Sequence, residues 1–237
     1  KMLLEKLGIP FTIMVSGVDE DEIIDSDPYR TLELRAVAKG EDVVRKISRA
    51  RDIKIQRNKN IKQNVIPDLL ALRNVGIRDP DSEPLQDKQT RLTMDSRLRG
   101  NDKTDILVLA CDSGAILENE MYGKPRDNDH AFEILNKLQG KTHILTTSLQ
   151  IYFIGHELTI PKTYTFMPKT AVTMRPLNDD EIRSYINHYD LSKFAGCYAL
   201  NETPWDFITE ISGSFTNVIG LPFEELLPVL REYSLVS

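Results

Sequence analysis

Residues Asp105 to Pro125 read DILVLACDSGAILENEMYGKP, and this stretch decides the fold. It begins with a continuous apolar run, Ile106 to Cys111, which is typical of a strand covered on both faces. Asp112 follows directly, so we expect its carboxylate at the carboxyl edge of a sheet, where open α/β sheets place their ligands. Lys124 closes the stretch between a glycine and a proline, which keep the backbone there out of regular structure.

A carboxylate and a lysine brought close together suit the chemistry of a phosphate ester. The carboxylate can hold a divalent ion or activate water, and the ammonium can neutralise phosphate oxygens. The residues alone leave other interpretations open, because Asp112 could equally cap the next turn and Lys124 could be a surface lysine. The chain contains neither a P-loop nor a G-x-G-x-x-G motif.

Strands and helices alternate along the rest of the chain, which predicts the α/β class. The other predicted strands cover residues 9–15, 143–153 and 162–175. Helices are predicted at 28–49, broken or capped near Gly40, at 129–138, from 178 onward and at 205–211. The chain opens inside an amphipathic helix, so we expect the native N-terminus to lie further upstream.

Composition favours a cytoplasmic globular protein. Apolar residues make up 41% of the 237 residues and charged residues 28%, and no apolar run approaches the length of a membrane span. Two cysteines cannot build a disulfide framework, and four scattered histidines lack the spacing of a zinc site. A metal here would be a hard cation held by carboxylates.

Residues 52–103 differ in character from the rest and are predicted to be a flexible insertion. They show neither helical nor strand periodicity. Residues 45–103 hold 15 Lys/Arg and 8 Asp/Glu, although the whole chain has a net charge of -6. A basic nucleic-acid-binding arm is the alternative, but the segment contains no Phe, Trp or Tyr on which bases could stack. Nucleic acid is therefore not the expected partner.

Two further segments supply candidate charges. Asp19 and Glu20 follow the first predicted strand, and a metal–triphosphate site needs oxygen ligands from more than one segment. Lys39 lies among small residues on the predicted helix 28–49, where a ligand could approach closely. An acidic turn and an exposed helix lysine are the plain structural alternatives for these two positions.

Motifs recur along the chain in a fixed order. They are Leu3 to Phe11, Val18-Asp19-Glu20, Ala36-Val37-Ala38-Lys39-Gly40, Ala110-Cys111-Asp112-Ser113, Gly123-Lys124-Pro125, Ala195-Gly196-Cys197-Tyr198 and Ile211 to Pro222. In this order they resemble the Maf family of nucleoside triphosphate pyrophosphatases, which are relatives in fold of the inosine triphosphate pyrophosphatases. The resemblance covers nearly all of the chain except residues 52–103.

The resemblance implies one Maf-like α/β domain over residues 1–237, with a mixed twisted sheet, flanking helices and two lobes around a central cleft. Such proteins are usually dimeric. They hydrolyse a nucleoside triphosphate, here dTTP, UTP or a modified nucleotide, to the monophosphate and pyrophosphate.

The same resemblance assigns roles to individual residues. Asp112 would be the general base, and Glu20 with Asp112 would lie near a divalent cation, which is Mg²⁺ or else Mn²⁺ or Co²⁺. Four residues would bind the substrate: Lys39, Lys124, Ser113 and Asn201.

Three departures from the family pattern bear on activity. The family's Ser-x-x-Arg segment has no counterpart before Lys1, Ser113 replaces a threonine, and Asn201 replaces the glutamine of pyrimidine-selective members. The alternative expectation is therefore a catalytically impaired nucleotide-binding protein that regulates septum formation. Residues 64–70 and 95–102 resemble peptides encoded by bacterial repetitive palindromic elements, which would explain the insertion without giving it a function.

Overall fold

The computed structural model describes residues 2–60, 105–155, 161–201 and 206–236. Within these ranges the structure has six α-helices, two short 3₁₀ helices (Leu191–Lys193 and Ala195–Cys197) and six strands. The helices are α1 (Met2–Lys6), α2 (Pro28–Asn60), α3 (Asn128–Leu138), α4 (Asp179–His188), α5 (Phe215–Val218) and α6 (Phe223–Glu232). The strands are β1 (Ile106–Leu117), β2 (Glu120–Tyr122), β3 (Thr142–Ile154), β4 (Lys162–Phe166), β5 (Lys169–Met174) and β6 (Ile208–Ser212).

The strands form one sheet in the order β2-β1-β3-β5-β6, and β4 also pairs with β3. Helices flank this sheet, so the predicted α/β class is confirmed. All pairs between the described strands are antiparallel, which makes the pairing more uniform than the mixed sheet we expected.

Strand β3 lies at the centre of the sheet. Two different strands pair with one of its edges, so the sheet forks there. One edge pairs with β1 along its length, from Ile106 opposite Ile154 to Ile116 opposite Ile144. The other edge pairs with β5 over residues 142–146 and with β4 over residues 149–153. Thr147 and Ser148 fall between the two registers. Asn217 of α5 fills part of this fork, because its Oδ1 accepts a hydrogen bond from the Thr147 backbone N–H at 3.0 Å.

Strand β1 is longer than the sequence predicted, and this moves Asp112. The strand runs unbroken from Ile106 to Leu117, so Asp112 lies in its middle and not in a turn at its carboxyl end. The polar pair Asp112-Ser113 resembled a turn, but each side chain has a partner within the fold. Gly114 does not end the strand. Glycine suits this position because a Cβ there would lie only 3.1–3.2 Å from side-chain atoms of Met121 and Leu32.

Helix α2 is also longer than predicted, and it does not break near Gly40. The glycine lies where α2 crosses β3, and a Cβ at this position would overlap the ring of Tyr152. Gly40 therefore permits a close helix–sheet contact and does not end the helix. The helix continues to Asn60, nine residues into the predicted insertion. Residues 61–103 lie outside the described ranges, so the insertion stays a prediction.

Three other expectations about local structure were wrong. The single strand predicted over residues 162–175 is interrupted at residues 167–168 and forms two strands, β4 and β5, which pair with different parts of β3. The other two concern the type of element. Residues 9–15 were predicted to be a strand, but they form an extended connection without strand pairing. Residues 205–211 were predicted to be helical, but Ile208–Ser212 pairs with β5 as strand β6, and Trp205 lies outside the described residues. In both cases a short apolar segment carried too little periodicity to distinguish helix, strand and loop.

The hydrophobic core is divided into three clusters. The largest packs α3 and α4 against β5 and the end of β1. The other two lie toward the start of β1, where α1 and α6 cover one face of the β1–β3 pair and α2 covers the other. The division falls near Asp112 and Thr147, which fits the expected two lobes. No helix in the described ranges is long and apolar enough to cross a membrane.

Candidate active site

Lys39 is part of the buried stripe of helix α2. Its neighbours in the stripe are Leu32, Ala36, Val43 and Ile47, whose spacing turns this face of the helix toward the sheet. The side chain of Lys39 is fully buried. An ammonium group in this environment needs charged or hydrogen-bonding partners. The helix pattern therefore places a cation against the middle of β1.

Two carboxylates pair with this lysine. Lys39 Nζ lies 2.8 Å from Asp112 Oδ1 and 2.8 Å from Glu20 Oε2. The side chain of Asp112 is 10% exposed and that of Glu20 is 38% exposed, so the cluster opens to solvent on the Glu20 side. The loop before α2, helix α2 and strand β1 thus bring together three residues that the sequence suggested separately.

The two carboxyl groups have different acidities. Burial raises the pKa of Asp112, and the nearby negative charge of Glu20 acts in the same direction, while Lys39 only partly opposes them. Burial also pushes the pKa of Glu20 upward. The charge and hydrogen bond of Lys39 outweigh this effect, and the charges of Lys124 and Arg35 act in the same direction as Lys39, so the pKa of Glu20 is lowered. Two carboxyl groups whose pKa values are shifted in opposite directions are suited to different roles, and Asp112 is the stronger base of the two.

The second carboxylate oxygen of Asp112 is unpaired. Asp112 Oδ1 accepts the hydrogen bond of Lys39, whereas Oδ2 is buried and accepts none from the described residues. Buried polar atoms nearly always have a partner, so an orphan of this kind marks a place for a ligand or water. The free oxygen belongs to the more basic of the two carboxyl groups.

Lys124 and Arg35 place further positive charge near the two carboxylates. Lys124 follows β2 in a loop that is tied down by the hydrogen bond from Gly196 N–H to the Gly123 carbonyl oxygen at 3.1 Å. Its charge helps to lower the pKa of Glu20. Arg35 was not among the predicted site residues. It precedes Lys39 by one helical turn, and its Nε donates to the Ile23 carbonyl oxygen at 3.0 Å. The i, i+4 spacing to Lys39 was the signal that could have identified it.

Two of the predicted substrate-binding residues lie apart from this cluster. Ser113 is next to Asp112 in β1, so its side chain points to the opposite face of the sheet. There its Oγ lies 2.8 Å from Thr147 Oγ1. Asn201 is exposed and precedes residues 202–205, which lie outside the described ranges. A role for either residue in substrate binding stays a prediction.

A divalent cation would have few protein ligands at this site. Within the described ranges no group of three or more His, Cys, Asp or Glu side chains could hold a metal ion. The carboxylates of Glu20 and Asp112 nevertheless offer hard oxygen ligands. Mg²⁺ commonly binds one or two carboxylates and takes its other ligands from water and substrate phosphates. The donor set therefore fits a cation that arrives together with a phosphorylated substrate.

The fold and site together define an α/β protein with a partly buried charged cluster, in which carboxylates and cations converge as recognition of a polyphosphate requires. Comparison with known families agrees with this class. The family model described as Maf-like protein matches residues 1–233, and the chain belongs to this family.

Relatives in this family carry a specific name. The chain is 33% identical over 128 residues to the dTTP/UTP pyrophosphatase of Clostridium beijerinckii, a match that covers 54% of this chain and 66% of the relative. It is 32% identical over 153 residues to the dTTP/UTP pyrophosphatase of Salinibacter ruber, covering 64% and 73%. For the enzyme of that name from Neisseria meningitidis the identity is 31% over 144 residues, covering 61% and 68%. The chain thus spans about two thirds of the length of these relatives.

Proposed function

We propose that this protein is a nucleoside triphosphate pyrophosphatase that hydrolyses dTTP or UTP to the monophosphate and pyrophosphate. The observation that carries the proposal is the ion-paired cluster of Glu20, Lys39 and Asp112, with Asp112 Oδ2 left free. Membership in the Maf-like family and the name shared by the relatives support the choice of substrate.

In the proposed reaction, Asp112 is the general base. Its free Oδ2 accepts a proton from the attacking water, and the anhydride bond between the α- and β-phosphates breaks. Pyrophosphate leaves, and the proton on Asp112 then returns to solvent. Because burial raises the pKa of this carboxyl group, it is a better base than an exposed aspartate.

The cations bind the triphosphate and stabilise the charge that develops on its oxygens. Lys39 is fixed between the two carboxylates, while Lys124 and Arg35 lie on the side of Glu20. Fixed positive groups in a partly buried site act strongly on the transition state, because they need no reorganisation when charge develops. Glu20 and Asp112 would hold Mg²⁺, or Mn²⁺ or Co²⁺ in its place, which when bound would neutralise phosphate oxygens further.

The enzyme assignment is favoured over a catalytically impaired regulatory protein. The candidate base and the cation that holds it are present in the described residues with close geometry. A buried carboxylate oxygen without a partner among the described residues is available to accept a proton from water, as a general base must be. The expected homodimer and cytoplasmic location are further proposals, which sedimentation velocity and cell fractionation would test.

Product analysis tests the proposed function. Purified protein is incubated with dTTP, UTP, CTP or ATP and Mg²⁺, and the products are separated by ³¹P NMR. We expect dTTP and UTP to give monophosphate and pyrophosphate in equal amounts. Unchanged nucleotides, or release of single phosphate with a nucleoside diphosphate, would contradict the proposal.

A further inference from the structure

Ser148 is the cross-strand partner of Asp112. The two residues lie directly opposite each other in the β1–β3 register. Directly opposite residues of an antiparallel pair point to the same face of the sheet, with Cβ atoms about 4.5–5.5 Å apart. Ser148 is fully buried and Asp112 is nearly so. A serine hydroxyl therefore lies beside the candidate base on the face that α2 covers.

The Ser148 hydroxyl is supported by a neighbouring side chain of β3. Gln150, two residues further along β3, directs its Nε2 to Ser148 Oγ at 3.4 Å. Thr165 Oγ1 in turn donates to Gln150 Oε1 at 2.7 Å. Ser148 and Gln150 are almost completely buried, as are Thr146 and Thr147 of the same strand, whereas Thr165 is exposed. Buried polar side chains are costly unless they are satisfied, so their presence here calls for a reason.

The fork in the sheet lies next to Ser148. Thr146 pairs with Lys169 and Leu149 pairs with Phe166, so Ser148 lies where β5 and β4 separate. Asp112 Oδ2 accepts no hydrogen bond from the described residues. Two polar atoms, Asp112 Oδ2 and Ser148 Oγ, thus belong to cross-strand partners on one face of the sheet, and each retains hydrogen-bonding capacity among the described residues. A buried water molecule typically has two to four such partners.

We infer that Asp112 Oδ2 and Ser148 Oγ together hold a water molecule, and that this water attacks the triphosphate. The inference rests on the proposed function and assigns Ser148 as a positioning residue. The water oxygen forms the new bond to phosphorus and its proton passes to Asp112 Oδ2. Ser148 keeps its own proton throughout and only fixes the water. Gln150 orients the hydroxyl, and its contact with Thr165 orients Gln150.

Kinetics of Ser148 variants give the first test. Ser148→Ala removes the hydroxyl and should lower kcat for dTTP by about tenfold or more, because a misplaced nucleophile is costly, while KM stays nearly constant. Ser148→Thr keeps the hydroxyl and should recover a large part of kcat. Thr146→Val is the matched control, because it removes another buried hydroxyl from the same face of β3, one that donates only to the Pro168 carbonyl oxygen. A kcat of Ser148→Ala equal to that of Thr146→Val would overturn the inference.

Crystal structures of the wild-type protein and of Ser148→Ala give a second test that does not depend on activity. We expect an ordered water within hydrogen-bond distance of Asp112 Oδ2 and Ser148 Oγ in the wild type and its loss in the variant. A space between the two atoms that is empty in the wild type, or a water that persists unchanged in Ser148→Ala, would overturn the inference. If the wild type releases no pyrophosphate, the proposed function fails, and the crystal structures alone then decide whether the water is held.

Discussion

Lys39 holds the site together at the scale of single residues. One buried ammonium group pairs with two carboxylates from distant segments of the chain. A buried ion pair adds little net stability compared with apolar packing, but removing one partner leaves an uncompensated buried charge. The conformation of the candidate base therefore depends on this one side chain.

Replacing Lys39 by methionine should destabilise the protein strongly. The variant keeps the length of the side chain but leaves Asp112 and Glu20 facing each other, which should cost about 3–5 kcal/mol of unfolding free energy at pH 7. The double variant Lys39→Met/Asp112→Asn should recover much of that loss, because the buried negative charge is gone. Urea unfolding measures both.

The matched control for this experiment is Lys46→Met on the same helix. Lys46 is partly exposed and lies 2.7 Å from Asp42. Because exposed pairs contribute little, its loss should cost less than about 1 kcal/mol. Equal costs for Lys39→Met and Lys46→Met, or additive effects in the double variant, would show that Lys39 does not hold Asp112.

A second buried titratable residue, His143, should make the protein sensitive to acid. Its Nε2 lies 2.8 Å from the Tyr198 hydroxyl, its Nδ1 has no partner among the described residues, and burial lowers its pKa from 6.5 to about 4. Between these two values the unfolded chain binds a proton that the folded chain does not. The stability linked to His143 is therefore complete above pH 6.5 and is lost as the pH falls to 4.

This loss should be visible in urea unfolding at pH 7 and pH 5. From the two pKa values, His143 should account for about 2 kcal/mol of stability lost at pH 5. His143→Gln keeps a group that can bond Tyr198 but cannot titrate, so the variant should lose less stability on acidification. Identical pH dependence in His143→Gln and wild type would contradict the prediction.

At the scale of elements, helix α2 and strand β1 determine where the charges meet. The sequence predicted both elements, and it singled out Lys39 and Asp112 on them. It misjudged where each element ends, because Gly40 and the pair Asp112-Ser113 are locally typical of a break or a turn. In both places a tertiary contact overrides the local signal. Neither contact can be read from neighbouring residues, since each joins segments far apart in the chain.

The crossing of α2 over β3 at Gly40 can be tested directly. Glycine to alanine inside a helix normally stabilises it by up to about 1 kcal/mol. Here the new Cβ would overlap the ring of Tyr152, so we expect Gly40→Ala to destabilise the protein by about 1–3 kcal/mol. Thermal or urea unfolding measures the change.

A double-mutant cycle with Tyr152→Leu supplies the control. The smaller side chain removes the overlap, so Gly40→Ala should cost much less in the Tyr152→Leu background than in the wild type. The Tyr152 hydroxyl also donates to the Val37 carbonyl oxygen at 3.3 Å, and the single Tyr152→Leu variant measures the loss of that bond. If Gly40→Ala stabilised the wild type, the close crossing would be refuted.

At the scale of the whole molecule, the site exists because three remote segments converge near the fork of the sheet. Charge type and local pattern in the sequence identified Glu20, Lys39, Asp112 and Lys124. Ser148 and Arg35 were not identified from the sequence. The position of Ser148 follows from strand register, and that of Arg35 from packing of the loop before α2. The alternation of elements predicted the α/β class, whereas the antiparallel register and the fork depend on long-range pairing that no local pattern specifies.

The central claim is that Asp112 is the base of a pyrophosphatase, and the rate of pyrophosphate release by Asp112→Asn tests it most directly. The amide nearly matches the carboxylate in shape but cannot accept a proton in this role. Nucleotide binding, measured by calorimetry with dTTP, should persist in the variant while its kcat falls by about a hundredfold or more. Asp129→Asn, at an exposed position in the first turn of α3, should retain wild-type turnover. Pyrophosphate release by Asp112→Asn at the wild-type rate would contradict the account.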